Sequence, residues 1–240
     1  MLDFYAKEVL REIADMGGSL CEEEPHLYSV ADIEECPHRR WITITDVIKN
    51  KYLEDYYHSV VDSSSNKNQA IEDVCSHMIH LVLGGVVTSY MLSGRVWEVC
   101  PGNILLRTHV LGGFDRYGAV RARVRVLKDD PYVTQLQSYL VIPTEEDMAD
   151  WTMVQAQESL IPIMEEISRL SGLSESICWG PLHGLINGYA KLAMHRYPRK
   201  QEQVERRMHC IYESCERLGL PLKRRVSSCL LYTSDAADER

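Results

Sequence analysis

Eight cysteines, at positions 21, 36, 75, 100, 178, 210, 215 and 229, carry the widest chemical range in this 240-residue chain. Thiolates can hold zinc or iron clusters, attack electrophiles and pair as disulfides. None of the eight lies in a Cys-x-x-Cys pair, and their spacing is irregular. Cys210 and Cys215, five apart in a helical stretch, point about 140° away from each other around the axis. Most are therefore expected to be free structural thiols, packed as small apolar side chains. His26, Cys36 and His38 form one loose cluster, whereas structural zinc takes four ligands, usually from two paired knuckles, so zinc is not expected.

Two further patterns are chemically suggestive. His77 and His80 sit three apart in a helical stretch, with Asp73 placed to pair with His77. They lack the Glu and the spacing of the zinc-protease helix, and the expectation is a pair of satisfied core or groove histidines. Arg121, Arg123 and Arg125 alternate with Val120, Ala122, Val124 and Val126, so the three arginines share one face of a strand. Such a ladder could hold an anionic ligand. The commoner arrangement is the wet side of a half-buried sheet, each arginine paired with a cross-strand acid.

The elements that must position these residues follow from period and punctuation. Residues 3–16 have helical spacing and stop at Gly17-Gly18; 21–40 mix an acidic triplet with two prolines and read as an irregular connection. A second helix is expected over 45–59 with Asp46 as its cap, then a turn-rich break over 63–68. A long helix over 69–93 follows, apolar all round in its second half and hence central and buried. Past Gly94 the period changes to two. Strand-like runs at 96–100, 104–110, 119–127 and 132–142 predict a four-stranded antiparallel meander with helices on one face. Thr144 caps the next helix, which runs to residue 170 with Pro162 as a kink or break; Ser174 caps another to residue 195, and 200–218 makes the last. The fold class is α+β: N-terminal helices, a four-stranded antiparallel sheet, then three C-terminal helices, in a single folded unit.

Bulk properties narrow the partners. The formal net charge is −9 with basic residues scattered rather than striped, which argues against nucleic acid. The longest apolar run, 81–92, is too short to span a bilayer, and the N-terminus lacks a secretory pattern, so the protein is expected in the cytoplasm.

The stretch Ile177-Cys178-Trp179-Gly180-Pro181-Leu182-His183-Gly184-Leu185-Ile186-Asn187-Gly188-Tyr189 resembles the Trp-rich helix of the FhuF-like ferric siderophore reductases. Leu160-Ile161-Pro162-Ile163 is similar to that family's Leu-Val-Pro-Val segment, and a basic pair, Arg224-Arg225, stands near the end in the family's order. The resemblance covers most of residues 45–228, so 1–228 is taken as one FhuF-like domain. It implies a cytoplasmic oxidoreductase, in solution or at the inner face of the membrane, that takes electrons from an unidentified donor and reduces siderophore-bound Fe(III) to Fe(II). The cofactor it implies is a C-terminal 2Fe–2S cluster held by a Cys-Cys pair and a later Cys-x-x-Cys. Carried onto this chain, Trp179, His183 and Asn187 become candidate siderophore-groove residues beside the arginine ladder, Arg225 a positive charge near the cluster, and Cys229 the one candidate metal ligand.

The cluster motif is not completed. Ser227-Ser228-Cys229 stands where the Cys-Cys pair is expected, and no cysteine follows. Residues 230–239 look like the translation of a sequencing-library transposase adapter, with Cys229 as its first codon. Residues 229–240 are thus expected to be foreign, the parent to carry the cluster, and this chain to carry none and to be inactive as a reductase. The alternative is a non-redox siderophore-binding or siderophore-biosynthesis accessory domain, because siderophore synthetases look like they carry a related C-terminal region.

Overall fold

The computed structural model describes residues 26–28, 40–109, 112–120, 124–130 and 139–221. The expected helix over 3–16 and the segment around Arg225 and Cys229 lie outside these residues. So do Arg121, Arg123, Cys36 and His38.

The longest helices set the frame. In chain order the elements are β1 (His26–Tyr28), β2 (Trp41–Thr43), α1 (Ile44–Lys49), α2 (Tyr52–Val61), α3 (Lys67–Ser93), β3 (Arg95–Trp97), β4 (Ile104–Thr108), β5 (Phe114–Val120), β6 (Val124–Leu127), β7 (Tyr139–Ile142), α4 (Glu145–Ser171), α5 (Glu175–Cys178), α6 (Leu182–Arg196) and α7 (Gln201–Arg217). Helix α3 is the centre: every residue from 81 to 92 is buried, and α2, α4, α6 and α7 all pack against it. By length and composition α3 could cross a membrane, but most of its apolar stretch is buried inside this fold, as in a core helix.

Helix ends follow local chemistry. Asn66 caps α3, its side chain accepting from the Gln69 N–H, and Gly94 closes it in the left-handed conformation. Thr144 caps α4 by accepting from the Asp147 N–H, and its hydroxyl donates to the Asp147 carboxylate at 2.8 Å. Thr43 does the same for α1 with Asp46. The cap there is Thr43 rather than Asp46, whose carboxylate instead receives the threonine hydroxyl.

The α+β class holds, but the four-stranded meander does not. The strands divide between two small sheets, one in the order β1-β5-β4-β2 and one in the order β3-β6-β7. The run 119–127 is shared between them: β5 ends at Val120 in the first sheet and β6 begins at Val124 in the second. Uninterrupted alternation carries no mark where a chain changes sheets. Strand β7 pairs with β6 in parallel, where the meander predicted an antiparallel neighbour. Strand β1, inside the stretch expected to be irregular, pairs parallel to β5.

Two helix predictions are corrected as well. The helix expected over 45–59 is broken at Asn50–Lys51, where Lys51 adopts φ 63°. The helix expected over 174–195 is broken at Trp179–Pro181, between α5 and α6. Conversely, α4 continues through Pro162. The carbonyl that loses its donor there belongs to Glu158, which is exposed, so water can serve it.

Candidate functional site: a histidine–tyrosine row on the central helix

On one face of α3, His77 and His80 stand one turn apart. Each is clasped by a tyrosine from another helix. Tyr56 of α2 places its hydroxyl 2.7 Å from His77 Nδ1, and Tyr189 of α6 places its hydroxyl 2.8 Å from His80 Nδ1. The Tyr56 ring also meets Phe114 of β5 edge to face, with centroids 5.7 Å apart. Gly113 passes so close that a Cβ there would lie 2.6 Å from that ring. Burial, reinforced by the neighbouring His80, lowers the His77 pKa to about 4, so this imidazole is neutral at pH 7. A neutral imidazole and a phenol in fixed orientation recognise a ligand by hydrogen bonding rather than by net charge.

The histidines are therefore half-buried and satisfied, as expected of core or groove histidines, but the partner differs. Asp73 does not reach His77; it accepts from the Gln69 side chain at 3.0 Å. Neither tyrosine was foreseen as a partner. Tyr189 lay in plain view as the last residue of the Trp-rich stretch, while Tyr56 carried no signal, because its meeting with His77 depends on how α2 folds back on α3.

The same Trp-rich stretch touches α3 a second time. Cys178, at the end of α5, lies within hydrogen-bonding reach of Cys75 on α3, and both are buried. The Cys75 thiol donates to Cys178, which pulls Cys178 below its ordinary value against the opposing effect of burial and pushes Cys75 up. Trp179 follows, 4% exposed, as a core residue. His183 is half-buried and stacks on Tyr212 of α7, with centroids 5.1 Å apart and planes 18° apart. Asn187 is half-buried one turn further along the same face. Asn187 and Tyr189 point about 200° apart around α6, so His183 and Asn187 face α7 while Tyr189 faces α3. The structure thus does not bring His183 and Asn187 to the histidine–tyrosine row.

The arginine ladder is visible only at Arg125, and Arg125 is not on a wet face. Its side chain is 8% exposed, donates to Glu98 at 3.0 Å and lies 4.7 Å over the Trp151 ring. Asn103 occupies the other Glu98 oxygen at 3.0 Å. Beside it, Arg95 is bound to Asp130 through two nitrogens, at 2.6 and 3.3 Å, in an almost fully buried pair. Arg125 does pair with an acid, as expected, but Trp151 of α4 lies over it, so the wet face expected for it is not found.

Among the described residues no group of three or more His, Cys, Asp or Glu could hold a metal ion. A 2Fe–2S cluster needs four ligands, normally thiolates. Of the five described cysteines, only Cys75 and Cys178 meet; Cys210 neighbours Tyr90, and burial pushes Cys215 up to about 12. The described residues do not fit the cluster.

No family model and no curated protein matches the chain. Among solved structures, the fold is similar to that of aerobactin synthetase IucC from a hypervirulent pathotype of Klebsiella pneumoniae. The TM-score is 0.50 at 15% identity, over 74% of this chain and 32% of the synthetase. This chain therefore spans about a third of the length of the protein it matches. The likeness is one of fold.

Proposed function

We propose that this chain is a siderophore-handling body that works by binding rather than by redox chemistry. The single observation behind this reading is the fold likeness to a siderophore biosynthesis enzyme across 74% of the chain. The contact surface we assign is the histidine–tyrosine row, where Tyr189, from the stretch that resembles the siderophore reductases, meets His80. Siderophores are rich in carbonyl and hydroxyl groups, which imidazole and phenol groups can hydrogen-bond.

The test is a binding titration followed by tryptophan fluorescence, with iron-free and Fe(III)-loaded hydroxamate, catecholate and α-hydroxycarboxylate siderophores. Saturable binding of one class is expected, weakened about tenfold by Tyr189→Phe or His80→Gln, as loss of a hydrogen bond worth about 1.4 kcal/mol would do. The exposed control Lys191→Ala should leave it unchanged. Absence of binding to every class sinks the reading.

The reductase remains the second reading, supported by residues 160–163, the 177–189 stretch and the Arg224-Arg225 pair. Recovering the reading frame beyond Ser228 decides it. A Cys-Cys pair followed by Cys-x-x-Cys, and Fe(II) release from a ferric siderophore by the extended protein, supports a reductase; an unrelated continuation removes it.

A further inference from the structure

Helix α6 buries Leu182, Ile186, Tyr189, Ala190 and Ala193, and packs on α3 and α7. Its opposite face carries Gly184, Gly188, Lys191, Leu192 and His195, all exposed and within about 100° of arc. Arg196 at the edge of that face and Arg199 in the turn that follows are exposed too. Charge is segregated along this segment. No Asp or Glu occurs from 176 to 201, the longest such interval in a chain whose net charge is −9. Lys200 is committed to Leu92 O, but neither Lys191 nor Arg199 makes an ion pair among the described residues. Leu192, 42% exposed among these cations, gives the face an apolar centre.

Cations without a local counter-charge fit an anionic partner, and the glycines narrow that partner's shape. A glycine inside a helix weakens it relative to alanine. Gly184 and Gly188 gain no packing in return, since a Cβ at either would meet nothing within 4 Å. One turn apart on one face, they leave the α6 backbone bare, so a second helix can cross closer than side chains ordinarily allow. An anionic bilayer gains nothing from a bare backbone. A second copy of this chain, crossing about the same glycines, would set Lys191 and Arg199 near their own like charges.

We propose that this face of α6 docks an acidic amphipathic helix of another protein. That helix lies along α6, its backbone over Gly184 and Gly188, an apolar side chain on Leu192 and carboxylates toward Lys191 and Arg199. Tyr189 points about 100° away from Gly188 around the axis. The surface is therefore separate from the histidine–tyrosine row, and the inference does not depend on the ligand reading.

The full chain is titrated, by fluorescence anisotropy, into a fluorescein-labelled helical peptide of alanine, glutamate and leucine that carries leucines on one face with glutamates beside them. The same peptide with lysine for glutamate, and vesicles of phosphatidylcholine and phosphatidylserine in equal parts, are tested alongside. Saturable binding of the acidic peptide alone is expected, weakened about tenfold by Lys191→Glu with Arg199→Glu and weakened also by added salt. The glycines supply the sharper readout. Gly184→Ala with Gly188→Ala should weaken peptide binding about fivefold or more while raising Tm by a few degrees, because alanine favours the helix where nothing crowds it. A fall in Tm would mean that the glycines serve the fold itself, and would overturn the inference. So would peptide binding untouched by either pair of substitutions, tighter binding to the vesicles or to the lysine peptide, or no binding of the acidic peptide at all.

Discussion

His77 shows how one contact sets a property of the whole chain. Its imidazole takes a proton near pH 6.5 in the unfolded chain and only near pH 4 in the folded one, because burial disfavours the cation and His80 adds to the effect. A histidine with a depressed folded pKa contributes its full stability above the unfolded value and loses it as pH falls through the window between the two. By pH 4.5 the loss is about 2–3 kcal/mol. Urea unfolding at pH 7 and pH 4.5 should show this drop, and His77→Gln, which keeps a polar contact for Tyr56 without titrating, should remove most of it. A shifted carboxylate, Glu145, falls in a lower window. Burial pushes the Glu145 carboxyl up, yet hydrogen bonds from Arg206 and Arg207 outweigh it and hold it below its usual range. Its contribution is therefore lost only as pH drops below about 4.5. An unchanged stability between pH 7 and 4.5 would contradict the burial of His77.

Helices and strands differ in how much of them could be read in advance. Local punctuation was legible wherever a side chain or a backbone conformation acts within its own turn: Thr144 and Gly172 bound α4, and Gly94 ends α3. The break at Lys51 was not legible, since a lysine gives no hint of positive φ. The sheets were least so, because pairing joins segments by register that no local period records. The Gly94 position makes a comparison possible. Gly94 and Gly172 both close helices in the left-handed conformation, at φ 72° and 69°. A Cβ at Gly94 would stand 2.5 Å from Leu127 Cδ1 and 2.9 Å from Arg207 Nη2, while at Gly172 it would meet nothing within 4 Å. Gly172→Ala should cost about 1 kcal/mol, from backbone strain alone. Gly94→Ala adds crowding against β6 and α7 and should cost roughly 2–4 kcal/mol. Thermal or denaturant unfolding of the two variants ranks them, and equal losses would mean that the seam between α3, β6 and α7 is looser than these distances state.

That seam is what makes the helices and the second sheet one molecule. The last carbonyls of α3 lack helical donors, and α7 and the turn before it supply them: Lys200 Nζ donates to Leu92 O at 2.7 Å, Gln203 Nε2 to Leu92 O at 2.9 Å, and Arg207 Nη1 to Met91 O at 3.3 Å. Cations at a helix C-terminus are also favoured by its dipole. Arg207 then reaches Glu145 at the first turn of α4 with Nε at 2.8 Å, so one guanidinium ties α3, α4 and α7 together. Arg206 binds the same carboxylate at 2.6 Å but is 55% exposed, against 8% for Arg207. Exposed pairs contribute little, whereas removing the buried Arg207 takes its ion pair with Glu145 out of the interior and removes a donor from the Tyr90 and Met91 carbonyls. Arg206→Met should therefore lower stability by at most about 1 kcal/mol, and Arg207→Met by roughly 1–3 kcal/mol. The denaturant midpoint should move with m unchanged, by helical circular dichroism and by tryptophan fluorescence alike, because Trp97 and Trp179 share the core that α3 organises. If the two signals separate in Arg207→Met, the helices and the second sheet unfold as distinct units, and the seam joins them without making them cooperative.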